Sequence, residues 1–401
     1  MESAYSPGSL PVISLLDNDL YSFTQQQPIL HQHPDVDVEY ELIVRSKEDL
    51  TPYIGAVRKA LEALSEKSFT EDELRFLARQ DKREYIKPDF IRFLGLFKFN
   101  LHYVTVSNCD GQLAIRVRGP WLHCILFEIP ILSMVSEIRN RHTYPDVSLT
   151  DVTSRLYEKF DWLATHATQD ELALMRVADF GTRRRLSYKA QFEMIGVMKR
   201  DFPGVFVGTS NVHMAREFDI DAIGTMSHQW LMAHQQLGRL HESQAAALEG
   251  WVKEYRGRLG IALTDCISSD WFLSEFDHYF VKLFDGVRHD SGDPLVWAEK
   301  FIAHYKKMGV DPMTKSLVFS DALDVKISLK IIRALQGRIR FSFGIGTNLS
   351  CDVAGVTPLS IVMKLVKVND RPVVKFSDEP TKLVCRDKSF EEYARTTFSI
   401  A

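Results

Sequence analysis

The chain has 401 residues, 45% hydrophobic and 25% charged, with a formal net charge of −4. This is a globular composition, long enough for one large domain or two to three smaller ones. The near-balanced charge argues against general affinity for nucleic acid or an anionic membrane. The five cysteines, Cys109, Cys124, Cys266, Cys351 and Cys385, form no C-x-x-C pair and are odd in number. That argues against a disulfide framework and a zinc–thiolate site, and fits a reducing compartment. The start of the chain has neither the basic segment nor the apolar segment of a secretion signal. No uncharged apolar run approaches the ~18 residues of a membrane span. A soluble, cytoplasmic protein is expected.

Residues 1–10 read as a flexible lead. In Leu15-Leu16-Asp17-Asn18-Asp19-Leu20-Tyr21 the acids read as N-caps of a helix from about Leu20 to Leu30. Tyr21 at its start is either a core residue or a stacking surface. Val36, Val38, Tyr40, Leu42 and Val44 alternate with charged residues, as in a half-buried strand. Ile54, Val57, Leu61 and Leu64 fall at helical spacing. Leu101, Tyr103 and Thr105 predict a second strand. Leu113, Ile115 and Val117 predict a third, ending at Gly119-Pro120. Leu122 to Ile138 reads as an apolar helix broken by Pro130. Glu128 inside it is either paired or at a site, and a structural pair is favoured.

From about residue 150 helical runs alternate with short apolar strands that end in polar or glycine residues. These ends are Val177 to Arg183, Val205 to Asn211, Gly260 to Asp265, Phe284 to Pro294, Leu317 to Asp321 and Ile339 to Asn348. Helical runs such as Trp297 to Tyr305 and Val325 to Leu335 lie between them. Repeated strand–helix units indicate a parallel sheet. Six in succession suggest a closed or nearly closed barrel that gathers the polar ends at one mouth. Ile361 to Val368, Asn369-Asp370 and Pro372 to Phe376 read as a hairpin. Its lysines, Lys364, Lys367 and Lys375, with Lys382 beyond, read as a solvated face.

The strand ends form a chemical inventory. Asp290, two residues after Arg288, suits vicinal hydroxyls. Gly344-x-Gly346-Thr347-Asn348 offers clustered N–H groups to a phosphate. Ser320-Asp321 adds a hydroxyl and an acid. Arg183, after Phe180-Gly181-Thr182, can hold a carboxylate while the phenylalanine stacks on a flat ring. His228, after Gly224-Thr225, is a proton carrier, a phosphoryl nucleophile or a packing residue. No H-E-x-x-H, Walker A or G-x-S-x-G pattern is present.

These segments, in this order and spacing, resemble the nicotinate phosphoribosyltransferases of the bacterial and yeast type. The resemblance runs along essentially the whole chain. It rests on Asp179 to Arg185, Gly208 to Asn211, Gly224-Thr225-x-x-His228, Leu263 to Cys266, Arg288 to Pro294, Phe319 to Asp321 and Ser342 to Thr347. It implies an α/β protein: an incomplete (β/α) barrel over 146–354, and an α+β domain of 1–145 completed by 355–401. It also implies a homodimer with active sites at the subunit interface. The implied reaction joins nicotinate to phosphoribosyl pyrophosphate, giving nicotinate mononucleotide and pyrophosphate for NAD salvage. ATP hydrolysis drives it, and Mg2+ arrives with the phosphates rather than at a resident metal site.

By the same resemblance His228 takes a phosphoryl group from ATP. Arg183, Thr209 and Ser210 hold the nicotinate carboxylate. Phe180 stacks on one ring face, and Tyr21 from the other subunit stacks on the opposite face. Asp290 holds the ribose hydroxyls beside Arg288. Ser320, Asp321, Gly346 and Thr347 cradle the 5′-phosphate, and Lys375 and Lys382 meet pyrophosphate or nucleotide phosphates. Three departures stand out. Gln229 replaces a glutamate, a change expected to weaken the orientation or basicity of His228. Ser22 replaces a lysine, and Asn348 an arginine. The rival readings are a nicotinamide phosphoribosyltransferase, which would carry aspartate at position 210, a shorter quinolinate enzyme, and a non-catalytic NAD-metabolite or RNA-binding protein.

Overall fold

Eleven strands among the described residues divide into two sheets according to what flanks them. The computed structural model describes residues 2–6, 8–46, 48–78 and 85–400. In chain order the strands are β1 (Asp37–Val44), β2 (Val104–Cys109), β3 (Gln112–Pro120), β4 (Val177–Asp179), β5 (Phe206–Thr209) and β6 (Ile261–Leu263). They continue with β7 (Gly286–His289), β8 (Ser316–Phe319), β9 (Arg340–Ile345), β10 (Ile361–Val368) and β11 (Arg371–Pro372). The six short strands β4 to β9 form a wholly parallel sheet in the order β5-β4-β9-β8-β7-β6. The alternating strands form an antiparallel sheet, β11-β10-β1-β3-β2, drawn from both sides of the parallel unit in sequence.

The parallel sheet is an incomplete barrel, open between β5 and β6. The segment after β5 occupies the opening. Ala222 bridges Thr209 on the β5 side, and the Thr225 hydroxyl donates to the Ile261 carbonyl at the start of β6. This return requires Gly208: its φ is +142°, and a Cβ there would stand 2.3 Å from the Asp221 carbonyl oxygen.

The expected helices form at Leu20–Gln32, Ile54–Ser65, Pro294–Lys307 and Val325–Leu335. Asp293 and Asp324 cap the last two through their carboxylates. The Leu20–Gln32 helix is buried from Leu20 to Ile29, glutamines included. Three of its glutamine amides find partners across the molecule. The side-chain amides of Gln25, Gln26 and Gln27 donate to the Ser227 hydroxyl, the Leu122 carbonyl and the Glu254 carboxylate. A helix tied in this way fixes whatever its first turn presents.

Several expectations give way. The 1–10 lead is anchored: Ala4 donates its N–H to the Val147 carbonyl and is fully buried. Met1 and Pro7 lie outside the described residues. Asp19 holds the N-cap position but caps nothing. Leu101–Tyr103 is a 3-10 turn, with the strand starting at Val104, because the Asn100 side chain accepts from the His102 N–H and closes a turn there. The apolar helix breaks at a 3-10 turn, Ile125–Phe127, ahead of Pro130, which sits harmlessly in the next first turn. Trp121–Thr143 is long and apolar enough to cross a membrane, but it is almost wholly buried inside the fold. The hairpin forms through Asn369 and Asp370, both at positive φ, but its returning strand is only Arg371–Pro372, since Pro372 cannot extend the ladder.

Candidate active site

The C-terminal ends of the parallel strands face the antiparallel sheet across a cleft. Phe180 follows β4 and its N–H donates to the Ile345 carbonyl. Its ring lies flat on Gly344, where a Cβ would come within 2.2 Å of a ring carbon. Arg183 sits one turn later, on the 3-10 turn Thr182–Arg184. Its two successors diverge. Arg184 lines the rim of the cleft. Arg185 is fully buried and forks onto the equally buried Asp17, at 2.8 and 2.7 Å. Asn211 donates to the same carboxylate at 2.7 Å.

That buried pair explains where Tyr21 goes. Asp17 is locked to Arg185 and Asn211, and the Leu20 N–H donates to the Ser210 carbonyl. The first turn of the Leu20–Gln32 helix is thus stitched to the end of β5 within one chain. Tyr21 lines the cleft of its own chain beside Arg183. Its hydroxyl is buried and faces Glu128.

Ser210 lines the cleft and donates its hydroxyl to Asp19 at 2.8 Å. Thr209 does not reach the cleft. Successive strand residues face opposite ways, and its hydroxyl donates to the buried Asp179 at 2.8 Å. In this structure Thr209 supports the strand end rather than lining the cleft.

His228 opens a helix of only six residues, His228–Ala233, rather than a long run. Trp230 anchors it from behind, stacked on Trp121 and donating to the Ala247 carbonyl. The His228 Nε2–H donates to Asp265 Oδ1 at 2.8 Å, and Asp290 Oδ2 lies 3.6 Å away. Asp265 also accepts from Ser291, Lys375 and Ser377. Burial pushes the imidazole down to about 4 despite Asp265. Burial alone would raise the Asp265 carboxyl, but His228 and Lys375 hold it well below the usual range. The imidazole is therefore neutral at pH 7, with its proton on Nε2. Its Nδ1 has no partner among the described residues.

Gln229 does not orient this histidine. It accepts from the Tyr40 hydroxyl and donates to Glu128 Oε2 at 3.3 Å. The expected loss of His228 orientation through Gln229 is thus removed by geometry: Asp265 does that work. Ser22 is fully buried and away from the cleft. Asn348 lines the cleft but donates its amide to the Leu323 carbonyl.

Arg288, Asp290, Ser320, Asp321, Gly346 and Thr347 all line the cleft. Asp290 accepts from Ser320 at 3.2 Å. Burial lowers the Arg288 pKa, and its Nε is buried without a partner among the described residues. Lys382 pairs with Asp321 at 2.7 Å. Lys375 is almost wholly buried on Asp265. Lys364 also lines the cleft, its pKa pushed down to about 8 by burial and by Lys375. These three lysines are not a solvated face, whereas Lys367 pairs with Glu39 nearer the surface.

Sequence reasoning assigned no role to Asp19, Tyr40, Arg45, Arg184, Asp265 or Lys364 in this cleft. Glu128 was read as a structural pair. It lies at the site itself, 3.8 Å from Arg183, with burial raising its pKa. Arg45 and Arg184 stand close enough that Arg45, with burial and Arg183, helps bring Arg184 down to about 10. Arginines crowded this closely suit a polyanion, although Asp321 also faces Arg184. Two aromatic faces beside an arginine suit a flat anionic ring. Oxygen donors for a Mg2+ that accompanies phosphates exist in Asp290 and Asp321. Both carboxylate oxygens of Asp265 are already taken by other donors.

Comparison with known proteins gives the same picture over the full length. The nicotinate phosphoribosyltransferase (NAPRTase) family profile matches residues 175–401, and the profile of the family's N-terminal domain matches residues 16–136. The nicotinate phosphoribosyltransferase of Ectopseudomonas mendocina is 60% identical over 97% of both chains. Nicotinate phosphoribosyltransferase 2 of Pseudomonas aeruginosa is 55% identical over the whole of both. The crystal structure of the Vibrio cholerae nicotinate phosphoribosyltransferase superposes with a TM-score of 0.95 at 38% identity, covering 99% of this chain and 96% of that one. With the strand-end residues gathered in one cleft and likeness of this extent, the chain belongs to the nicotinate phosphoribosyltransferase family.

Proposed function

We propose that this protein joins nicotinate to phosphoribosyl pyrophosphate and couples the reaction to ATP through His228. The carrying observation is one cleft that holds Phe180, Tyr21 and Arg183 for a flat carboxylate together with the neutral His228–Asp265 dyad. Arg183 and Ser210 hold the ring carboxylate, and the two aromatic faces hold the ring. The pyridine nitrogen attacks the anomeric carbon as the bond to pyrophosphate breaks and its electron pair leaves with pyrophosphate. The nitrogen carries no proton at neutral pH, so no general base is needed. Asp290 orients the ribose hydroxyls. Arg288 and the cleft lysines stabilise the departing charge. Asp290, with Asp321 once released from Lys382, would hold the Mg2+ that comes with the phosphates, and the ion would supply further charge neutralisation.

His228 Nδ1 takes the terminal phosphoryl group of ATP as ADP leaves, and water later breaks the N–P bond. Asp265 holds the proton on Nε2 and directs the lone pair on Nδ1 outward. The active species is a homodimer, tested by sedimentation at assay concentration. Nicotinate mononucleotide and pyrophosphate should form from nicotinate, phosphoribosyl pyrophosphate and Mg2+, faster with ATP, and the His228 peptide should carry phosphate. Product formation unaffected by ATP, with no phosphohistidine, would remove the coupling. No product at all would remove the enzyme reading in favour of a metabolite-binding protein.

One observation favours a second ring. The Asp19 carboxylate stands behind Ser210 and can accept from an amide N–H. Turnover of nicotinamide matching that of nicotinate would reassign the preference.

A further inference from the structure

Four side chains from four separate elements form a line from the antiparallel sheet to the ring slot. Tyr40 on β1 donates to Gln229 Oε1, beside His228. Gln229 Nε2 donates to Glu128 Oε2 at 3.3 Å. Glu128 Oε1 faces Arg183 Nη1 at 3.8 Å. All four line the cleft. We infer that Gln229 is a positioning residue for Arg183, acting through Glu128, and that its amide adds no titrating carboxyl to the ring-carboxylate subsite. The inference rests on the proposed ring-binding role of Arg183.

The chemistry of the amide is the reason. Tyr40 needs an acceptor at 229 and Glu128 needs a donor there. A glutamine side chain offers both at once at any pH. A carboxylate at 229 would satisfy Tyr40 but could donate to Glu128 only when protonated. Two carboxyl groups at this spacing cannot both ionise readily and would share one proton. The other groups facing Glu128 are Arg183 and Asp19 from the loops, Tyr21 from the Leu20–Gln32 helix, Lys364 from β10 and Tyr40 from β1. Of the charged groups, Arg183 and Lys364 favour the ionised carboxylate and Asp19 opposes it. With Gln229 in place, Glu128 has no second carboxyl at 229 with which to share a proton.

The test is Gln229→Glu, with Tyr40→Phe as the milder break in the same line. At low pH the new pair would share one proton. As pH rises it would lose that proton and gain a second charge, which would pull Arg183 away and repel an anionic ring. KM for nicotinate in Gln229→Glu is expected to climb about tenfold between about pH 6 and 9, a like-charge penalty at short range. The change in kcat should be much smaller, and the wild-type KM should stay flat up to about pH 8, where Lys364 keeps its charge. Tyr40→Phe should raise KM a few-fold without slope. Infrared difference spectra of the ligand-free Gln229→Glu protein should show a protonated-carboxyl band at neutral pH that fades as pH rises.

A Gln229→Glu profile parallel to the wild type, or a uniform rise in KM at every pH, would overturn the relay. Absence of the infrared band would do so without any reference to turnover. If the wild type turned over no nicotinate, the functional reading would fail separately. Calorimetric binding of nicotinate across the same pH range would then decide the relay.

Discussion

The two walls of the cleft are built by opposite rules. On the barrel side each functional group follows a short parallel strand, so backbone continuity alone delivers Phe180, Asp290, Ser320 and Gly346 to one mouth, with Asp265 buried just behind it. On the antiparallel side, Tyr40, Lys364 and Lys375 come from segments whose polar residues look like any solvent-facing set. The barrel wall supplies shape and hydrogen bonds. The antiparallel wall supplies much of the cation and the carboxamide line to Arg183. One wall is specified locally and the other only by tertiary packing, yet both must be right for the cleft to exist. Asp265 bolts them together, since it accepts from His228 and Ser291 on one side and from Lys375 and Ser377 on the other.

That bolt is the place to test whether the walls depend on each other. Asp265→Asn removes the charge opposite a buried lysine, and breaking a buried pair costs ~3–5 kcal/mol. Urea unfolding should show a loss of that order, and the His228 peptide should lose its phosphate. An unchanged midpoint would mean that the walls stand independently.

Gly344→Ala acts on the barrel wall alone. The added methyl must displace the Phe180 ring, and overpacking of this kind costs ~1–3 kcal/mol. KM for nicotinate should rise up to about tenfold, the scale of one lost aromatic contact of ~0.5–1.5 kcal/mol. Phosphoryl transfer to His228 should survive.

The antiparallel wall answers to pH. Lys364 loses its proton above about 8, so the positive charge is present below that value and lost as pH rises through it. The kcat/KM for phosphoribosyl pyrophosphate should therefore fall a few-fold above about pH 8, where the free protein's groups govern the profile. Lys364→Arg should flatten that limb, and a wild-type limb that Lys364→Arg leaves unchanged would assign it elsewhere. The smallest effect belongs to Thr209→Val. It should cost ~1 kcal/mol for one buried hydrogen bond and leave KM for nicotinate within experimental scatter.

These contrasts also explain what could be read from the chain. The six barrel units were legible because an apolar run followed by glycine or polar residues is a local signal, and β4 to β9 form where it occurs. The residues after them were legible for the same reason, apart from Thr209, whose neighbour Ser210 reaches the cleft while it turns to Asp179. Lys364 and Lys375 were read as solvated because alternation along β10 looks the same whether the polar face meets water or a second wall. Glu128 and Gln229 were each judged by their sequence neighbours, whereas their partners lie far away in the chain. Tyr21 could not be placed beside Arg183 from the sequence, because the buried Arg185–Asp17 fork that holds its segment joins residues far apart in the chain.

The pairing of β1 with β10 has a consequence for how the protein is made. Val44 meets Ile361 in that ladder, so β1 leaves the ribosome roughly three hundred residues before its partner. At about 5–20 residues per second it waits on the order of 15–60 s with one hydrogen-bonding edge unmatched. During synthesis that edge is a docking point for chaperones and a hazard for pairing between nascent chains. Slowing translation between residues 50 and 360 should therefore lower the yield of folded protein more than slowing it after residue 368.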